Sequence, residues 1–235
     1  MKQPHHFHRL LNGLMCGILL LTMAACDNRN IHQVIKEIAE APVDTTGLSA
    51  KTVQTNHFSG VEIDCFADVT FHQTVAGMAP YVSLKAIDEV LDHVSTKAKD
   101  DRLVISTDRR YRMPEKAVVI IDIYAPFVSS FMLNGGKCLR LGNLQLSSPL
   151  TLEVAGVGAL TADSLVCPEI TVRLEGAGSV DLKGVMTQRL DASLTGNGQM
   201  FFAGQSRTTN VDISGEGTVN TDKFKSDSPI RQRRR

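Results

Sequence analysis

Residues 173–184 read RLEGAGSVDLKG, in which Gly176 and Gly178 flank one alanine between two apolar, alternating segments. Four such G-x-G units follow one another at spacings of 20, 20 and 19 residues. Their glycines are Gly156, Gly158, Gly176, Gly178, Gly196, Gly198, Gly215 and Gly217. A less regular copy at residues 134–136 reads Asn-Gly-Gly and begins 22 residues earlier. We expect Asn134 to replace its first glycine, because Asn tolerates left-handed backbone angles.

The residues around these glycines fall into columns when the copies are aligned. Apolar and polar residues alternate, which is the period of a strand with one buried face. A polar column contains Glu153, Arg173, Ser193 and Asp212. An apolar column contains Leu165, Val185 and Phe224, with Gln205 interrupting it. Repeats of this length with glycine corners are typical of solenoids. We therefore predict an all-β fold, a single-domain parallel β-solenoid with coils of about 20 residues that stack ~4.8 Å apart.

The repeated glycines are interpreted as structural corners of the coils. A corner needs a sharp turn between two strands, and glycine reaches positive φ without the Cβ penalty of about 1–2 kcal/mol. The alternative is a phosphate-binding loop, which requires a helix after the glycines, whereas strand-like residues follow every copy here. Calcium-binding glycine–aspartate repeats have a period of about nine residues and do not match either.

The first 25 residues have the composition of a secretory signal peptide, with a basic start and an apolar run too short for a comfortable membrane span. The pair Ala24-Ala25 stands directly before Cys26 and resembles the lipobox of bacterial lipoproteins. The resemblance implies cleavage before Cys26 and attachment of lipid to its sulfur; an ordinary signal peptide cut nearby is the alternative. Several acyl chains would anchor the protein firmly in an envelope membrane.

The charge balance excludes one class of partner. Removal of the two basic residues of the signal peptide leaves 23 basic against 25 acidic residues in the mature chain. The C-terminal RQRRR contains four of those bases, so the remaining body is mildly acidic. A broad basic face, which a nucleic-acid-binding protein needs, is not indicated.

Four segments are predicted along the chain: a lipoprotein signal peptide (1–25), a lipidated tether with room for one short helix (26–51), a β-solenoid domain (52–225) and a basic disordered tail (226–235). The sequence VEIDCFADVTFH, residues 61–72, has an apolar residue at every odd position and mostly polar residues between them, and predicts one half-buried strand. Further strands are predicted at YVSLKAI, RLVIST and AVVIIDIYAP, with KAKDDR as a turn.

Several of these segments together resemble a known family. They are FSGVEIDCFADVTFHQ, VLDHVSTKAKDDRLVIS, IDIYAP and the G-x-G coils that end in ISGEGTVNTDKF. Over residues 53–224 the chain resembles the bacterial family of auto-transporter adhesin head GIN domains. The resemblance implies a β-solenoid exported from bacteria of the Bacteroidetes type, often as a lipoprotein, and the family name suggests adhesion. It supplies no catalytic or binding residues.

Cysteines and histidines give no sign of a metal centre. Cys65, Cys138 and Cys167 belong to no C-x-x-C or Cys/His cluster, so neither a disulfide framework nor a zinc site is indicated. Three buried free thiols, or one disulfide and one free thiol, are both compatible with the sequence. The mature histidines have no metal-ligand spacing and are interpreted as solvated or packed; they are His32, His57, His72 and His93.

A carbohydrate-active β-helix enzyme would gather carboxylates on one face of the coils. The candidates are Asp163, Asp181, Asp191, Asp212 and Asp222. Only Asp163 and Asp222 share a repeat position, and three coils, about 14 Å, separate them. Glycosidases need ~5–10 Å between their carboxyl groups. This comparison argues against a glycosidase, though not against every lyase. We predict that the protein is not an enzyme and has no catalytic residue, cofactor or metal.

These observations lead to a lipid-anchored, non-enzymatic solenoid of the cell envelope. It is expected to be an outer-membrane lipoprotein, periplasmic or surface-facing, held to the membrane through Cys26. An adhesin-like or scaffold module that binds a surface polymer or a protein partner is the leading hypothesis. The alternatives are a structural solenoid that associates end to end and a small carbohydrate-active enzyme. Of the adjacent Phe201 and Phe202, Phe201 is the better candidate for an outward-facing position.

Overall fold

The computed structural model describes residues 37–108, 110–114 and 117–235. The predicted signal peptide, Cys26 and His32 lie outside these residues. A short helix, α1 (Asp88–Leu91), accompanies a sheet of 18 strands, and residues 37–40, within the predicted tether, are also helical. The strands are β1 Ser49–Gln54, β2 Gly60–Asp64, β3 Ala67–Gln73, β4 Tyr81–Ala86, β5 Val94–Lys99, β6 Arg102–Thr107, β7 Val119–Ala125, β8 Ser130–Asn134, β9 Cys138–Arg140, β10 Asn143–Gln145, β11 Leu150–Gly156, β12 Ala159–Ala162, β13 Ser164–Val166, β14 Glu169–Gly176, β15 Ser179–Gly196, β16 Gln199–Ser214, β17 Thr218–Ser226 and β18 Arg231–Arg234. No helix within the described ranges is both long and apolar enough to cross a membrane.

The strands stack in three ladders, which confirms the predicted β-solenoid. Face A contains β6, β2, β8, β11, β14, the second half of β15, the second half of β16, and β18. Face B contains β7, β3, β9, β12 and the beginnings of β15, β16 and β17. Face C contains β10, β13, the middles of β15 and β16, and the end of β17. All pairings within these ladders are parallel.

Alternating apolar side chains point into the shaft that the three faces enclose. On face A, Leu152 pairs in register with Val172, which pairs with Ala192 and then Val211, and all four are buried. The same registers confirm the predicted polar column of Glu153, Arg173, Ser193 and Asp212 on the outside. The period of two therefore decides which side chains fill the shaft and which face solvent.

Two details of the aligned columns were wrong by one residue. Asn134 pairs with Ala155, and Gly135, with φ +64°, takes the place of the first corner glycine, because the strands on both sides of this turn pair with residues 21 positions ahead and not 22. In the apolar column of face C the interrupting residue is Gly204 rather than Gln205. A register shift after Leu182 moves the pairing by one position there.

The N-terminal end of the solenoid departs from the repeat. The predicted single strand at residues 61–72 bends at Cys65 and Phe66 into β2 and β3, although its alternating apolar residues are all buried as expected. β1 pairs antiparallel with β4, and β4 with β7, so residues from Ser49 onward belong to the domain rather than to the tether. β5 and β6 form an antiparallel hairpin whose turn, predicted from KAKDDR, places Asp100 and Asp101 at positive φ.

The first coil in the chain is not the first coil of the stack. β2 lies between β6 and β8, and β3 lies between β7 and β9. The coil formed by β6 and β7, although later in sequence, therefore occupies the outer position, where β4 and β5 continue the sheet. α1 adds the buried side chains of Val90 and Leu91 to the core at this end.

The prediction of a disordered tail at residues 226–235 is wrong. Arg231–Arg234 form β18, which pairs in parallel with β16 on face A. Arg234 donates a hydrogen bond to the carbonyl oxygen of Gly217 (2.9 Å), and Ile230 packs against the core. Charge alone suggested disorder, but backbone pairing with an open strand edge requires no apolar side chain.

Candidate functional site

The corner glycines stack on one another at successive coils. Gly156, Gly176, Gly196 and Gly215 have φ between +95° and +115°. A Cβ added to Gly176 would lie 2.6 Å from the carbonyl oxygen of Gly156. Gly178 has no positive φ, but its Cβ would lie 2.6 Å from the carbonyl oxygen of Gly158. The first glycine of each pair therefore satisfies both the turn and the close stacking, and the second satisfies the stacking alone.

An open polar groove of about 480 Å³ lies on the outside of face A, towards the C-terminal coils. Four arginines and two aspartates line it, together with small or neutral polar side chains. The polar lining residues are Thr171, Arg173, Arg189, Asp191, Ser193, Asn210, Asp212, Arg231 and Arg233. We call this the face A groove.

The repeat itself positions these side chains. Ser193 is in register with Arg173 on one side and Asp212 on the other, and Asp212 pairs with Arg233. A neighbouring outward column runs from Thr171 through Asp191 and Asn210 to Arg231. Small side chains therefore form the floor of the groove, and arginines from β14, β15 and β18 rise around it.

Part of the charge in the groove is already paired. Arg173 contacts Glu153 of the preceding coil at 2.5 Å, and Arg189 Nε donates to Asp191 at 2.7 Å. Asn210 donates to the other carboxylate oxygen of Asp191, also at 2.7 Å. Asp191 thus accepts a hydrogen bond at each carboxylate oxygen, which fixes its orientation.

Face B carries a different arrangement, because residues 37–48 run across it. We call these residues the strap. Asp68 is buried on the outer side of β3, where it pairs with Lys137 (3.1 Å) and with Arg140. Lys137 Nζ also donates to the carbonyl oxygen of Ala41, and Arg140 donates to that of Ala39, both at 2.9 Å. Two cations held by one carboxylate therefore fasten the strap to the solenoid.

Two hollows border the strap. One, of about 480 Å³, extends along face B from Ala39 and Cys138 to Lys183 and Phe201. Phe201 is 42% exposed and Phe202 is buried, as the alternation predicted. The other, of about 680 Å³, is more apolar and lies under the strap at the N-terminal end, where Phe66 contributes to its wall.

The three cysteines within the described residues, Cys65, Cys138 and Cys167, are free and buried. Burial raises the pKa of Cys65 to about 12, that of Cys138 to about 11 and that of Cys167 to about 11. Cys65 and Cys167 belong to the main core, whereas Cys138 lies on the outside of face B, where it packs with Ala39 of the strap and Ala159. Thiols with such pKa values are poor nucleophiles at neutral pH.

Two of the histidines are packed against aromatic rings. His72 stacks on Tyr124 (4.5 Å between ring centroids), which stacks on Tyr81 (4.4 Å), and His72 Nε2 contacts Asp122 at 2.9 Å. His93 stacks on Tyr111 at 3.9 Å. His57 is exposed. Among the described residues, no group of histidine, cysteine and carboxylate side chains could hold a metal ion.

The aspartates that the sequence singled out are distributed over different surfaces. Asp191 and Asp212 line the face A groove, whereas Asp181 belongs to face B. Asp163 and Asp222 lie on exposed parts of the coils, and Asp163 approaches Lys183 at 4.0 Å.

Sequence reasoning missed the contribution of the C-terminal arginines and the fastening of the strap. The spacing of 21 residues from Asp212 to Arg233 continues the repeat and could have placed β18 on face A. No comparable signal was available for Asp68, because its partners Lys137 and Arg140 lie about 70 residues away in the chain.

Comparisons with known proteins agree with this architecture. Residues 57–229 match the family described as "Putative auto-transporter adhesin, head GIN domain". A structure from Parabacteroides distasonis described as a putative lipid binding protein has a TM-score of 0.67 at 15% identity, over 79% of this chain and 78% of that one. A putative adhesin from Bacteroides fragilis has a TM-score of 0.59 at 17% identity, over 83% of this chain and 100% of that one. These likenesses show the fold. A comparison with curated proteins gives no match.

Proposed function

Because the chain belongs to the family of auto-transporter adhesin head GIN domains, we propose that it is a lipid-anchored, non-enzymatic module of the cell envelope that binds a surface polymer or a protein partner. The family description itself implies a cell-envelope or surface protein. Attachment through lipid on Cys26 of an outer-membrane lipoprotein is the finer part of the proposal, supported by Ala24-Ala25 before that cysteine.

The observation that carries the binding proposal is the face A groove. Its side chains come from four successive rungs of face A, so the surface extends along the solenoid axis by about 14 Å from Arg173 to Arg233. Exposed columns of this kind suit an extended partner better than a small enclosed substrate. The groove is open along its length, and Ser193 leaves its floor accessible.

A pull-down from native envelopes tests this proposal. The bait is the mature chain, and the matched variant is Ser193→Trp, which fills the floor of the groove from an outward strand position where a large side chain is tolerated. We expect a polymer or protein retained by the unaltered chain and lost with Ser193→Trp. Retention of the same partner by both proteins would contradict binding in the groove, and repeated failure of the unaltered chain to retain anything would contradict the function.

Membrane attachment has its own test. Fractionation and labelling with a fatty-acid analogue in a bacterial host compare the full chain with Cys26→Ser. We expect the full chain to be labelled and membrane-bound, and the variant to be unlabelled and released. Equal labelling of the full chain and the variant would show that Cys26 is not the site of lipid attachment.

A second candidate function is end-to-end assembly. The residue pairings of β17 and β18 within the described chain are all with β16, so their outer edges are open. Such edges can add a further strand, although the arginines of β18 oppose it. Sedimentation at rising protein concentration decides between the two, since a fixed monomer rules out self-assembly. The enzymatic alternative is tested by hydrolysis and elimination assays on a panel of polysaccharides, where turnover that Asp191→Asn abolishes would replace the binding proposal.

A further inference from the structure

We propose that the face A groove binds a linear acidic polysaccharide, with its arginines holding carboxylate groups and its floor holding hydroxyl groups. This inference rests on the proposed binding function and adds the chemical class of the partner. β18 is central to this inference, because it brings Arg231 and Arg233 onto the same face as Arg173 and Arg189.

The first argument is the charge of the groove. Four arginines stand against two aspartates, Asp191 and Asp212, which gives the lining a net charge of +2. The body of the mature chain is mildly acidic, so this is a local excess of positive charge and not a property of the whole surface. An anionic ligand is attracted to the groove and repelled elsewhere.

The second argument is the availability of the guanidinium groups. The side chains of Arg173 and Arg189 remain more than half exposed (55% and 53%) despite their ion pairs. Exposed ion pairs of this kind are weak, so a ligand carboxylate can replace the protein carboxylate as the partner of the arginine with little loss of free energy. Arg231 and Arg233 are exposed, and no ion pair holds either of them within the described chain. Guanidinium forks match a carboxylate through two parallel hydrogen bonds.

The third argument separates a sugar polymer from other anions. Asp191, Asn210, Ser193 and Thr171 place hydrogen-bond acceptors and donors between the arginines, which is what sugar hydroxyl groups need. A phosphate-rich lipid surface would gain nothing from the two aspartates and would be repelled by them. A single small anion would need an enclosed cradle, whereas these arginines are spread over three rungs of an open surface.

The spacing favours a chain with a charge on successive units. Arg173 and Arg233 lie three rungs apart in one outward column, about 14 Å. Arg189 and Arg231 lie two rungs apart in neighbouring positions, about 10 Å. A linear polymer laid along the solenoid axis would meet several of these cations at once, and each contact then strengthens the next by raising the effective concentration.

The experiment measures binding of the mature chain to four probes by titration calorimetry at two salt concentrations. The probes are polygalacturonate, alginate, neutral dextran, and vesicles of phosphatidylglycerol with phosphatidylcholine. We expect both acidic polysaccharides to bind, dextran and vesicles to bind at least about tenfold more weakly, and the binding to weaken as salt rises, because exposed charges are screened.

Variants locate the binding site. Arg231→Glu with Arg233→Glu should reduce affinity for polygalacturonate at least about tenfold, since two charge-assisted contacts are replaced by repulsion. The matched control, Arg207→Glu with Lys225→Glu, makes the same charge change at exposed positions outside the groove and should keep affinity within about threefold. Because a charge reversal could release β18, Arg173→Gln with Arg189→Gln repeats the test within the regular coils. Circular dichroism verifies that each variant is folded.

The outcomes separate this inference from the proposed function. Equal binding of dextran and polygalacturonate, or equal losses in the groove variants and the control, would overturn it. If neither acidic polymer binds but an envelope partner is lost with Ser193→Trp, the proposed binding function is supported and the acidic polysaccharide is ruled out as its ligand. Binding to the vesicles alone would identify a lipid surface instead and would also overturn it.

Discussion

The coils from β11 to β16 and the N-terminal end from β1 to β9 enclose one continuous core, but their strands pair over different distances in the sequence. In the regular coils each rung pairs with residues about 20 positions away, as Gly156 does with Gly176. At the N-terminal end Gly60 pairs with Ser130 and Asp68 with Cys138, 70 positions away. Closing the longer loop costs about 1 kcal/mol more in chain entropy. The regular coils therefore form from segments that are close in the sequence, whereas the N-terminal end of the stack forms from distant segments.

The largest expected effect is the loss of folding stability when a corner glycine is replaced, and this loss should differ between the two regions. Gly176→Val should lower the free energy of unfolding by at least about 3 kcal/mol, because the new side chain meets the carbonyl oxygen of Gly156 at a positive φ. Gly135→Ala should cost only about 1–2 kcal/mol, since nothing lies within 4 Å of its Cβ position and only the left-handed φ is penalised. Chemical denaturation measures both, with Ala177→Val as a control that should change stability by less than about 0.5 kcal/mol. Equal midpoints for Gly176→Val and Ala177→Val would contradict the stacked corner.

The next effect concerns the fastening of the strap. Asp68→Ala should lower the free energy of unfolding by about 2–3 kcal/mol, because it leaves the ammonium group of Lys137 buried without its carboxylate. Asp163→Ala is the matched control, since its contact with Lys183 is long and exposed and its loss should cost less than about 0.5 kcal/mol. Denaturation combined with limited proteolysis in residues 37–48 is the measurement. An intact strap and unchanged stability in Asp68→Ala would refute this assignment.

A smaller effect is expected in the reactivity of the thiols. In the unaltered protein Cys65, Cys138 and Cys167 should resist alkylation at pH 8, since burial raises the pKa of each of these thiols to about 11 or 12. In Asp68→Ala, Cys138 should react first, because it is shielded by Ala39 of the strap, whereas Cys65 and Cys167 belong to the main core. Mass spectrometry after timed labelling identifies the modified residue. Simultaneous labelling of all three would indicate global unfolding rather than release of the strap.

The smallest effect lies on the surface of the regular coils. Arg173→Ala should change the free energy of unfolding by less than about 0.5 kcal/mol, because its pair with Glu153 is exposed to solvent. Glu153→Ala should have an equally small effect. Thermal and chemical denaturation of the two variants provide the values. A loss above about 1 kcal/mol would mean that the outer column supports the fold, and that binding tests with groove arginines need a stability correction.

The contrast between the regular coils and the N-terminal end also explains which parts of the fold the sequence predicts. The 20-residue period identified the shaft residues and the outward column of Arg173, Ser193 and Asp212, because side chains in register must share an environment. It misplaced Asn134 and Gln205 by one residue, since a coil offset of 21 residues and a register shift change the pairing without changing the composition.

The repeat pattern of the sequence predicted only part of the candidate site. Arg173, Asp191 and Asp212 were visible in the repeats, but the groove becomes cationic through β18, which lacks both a corner glycine and apolar residues. The buried cluster around Asp68 depends on residues from β3 and β9 and on the strap. No local pattern encodes such a cluster, because its members meet only when distant segments pack.

The position of the β2–β3 coil has a consequence for how the protein is made. This coil is sandwiched between rungs that the chain supplies only at residues 102–125 and 130–140. A chain that emerges N-terminus first therefore cannot complete its earliest rung until about 140 residues are available. Stepwise stacking in chain order cannot build this arrangement, so we expect the local pairings of the later coils to form first and the N-terminal segments to dock onto them afterwards.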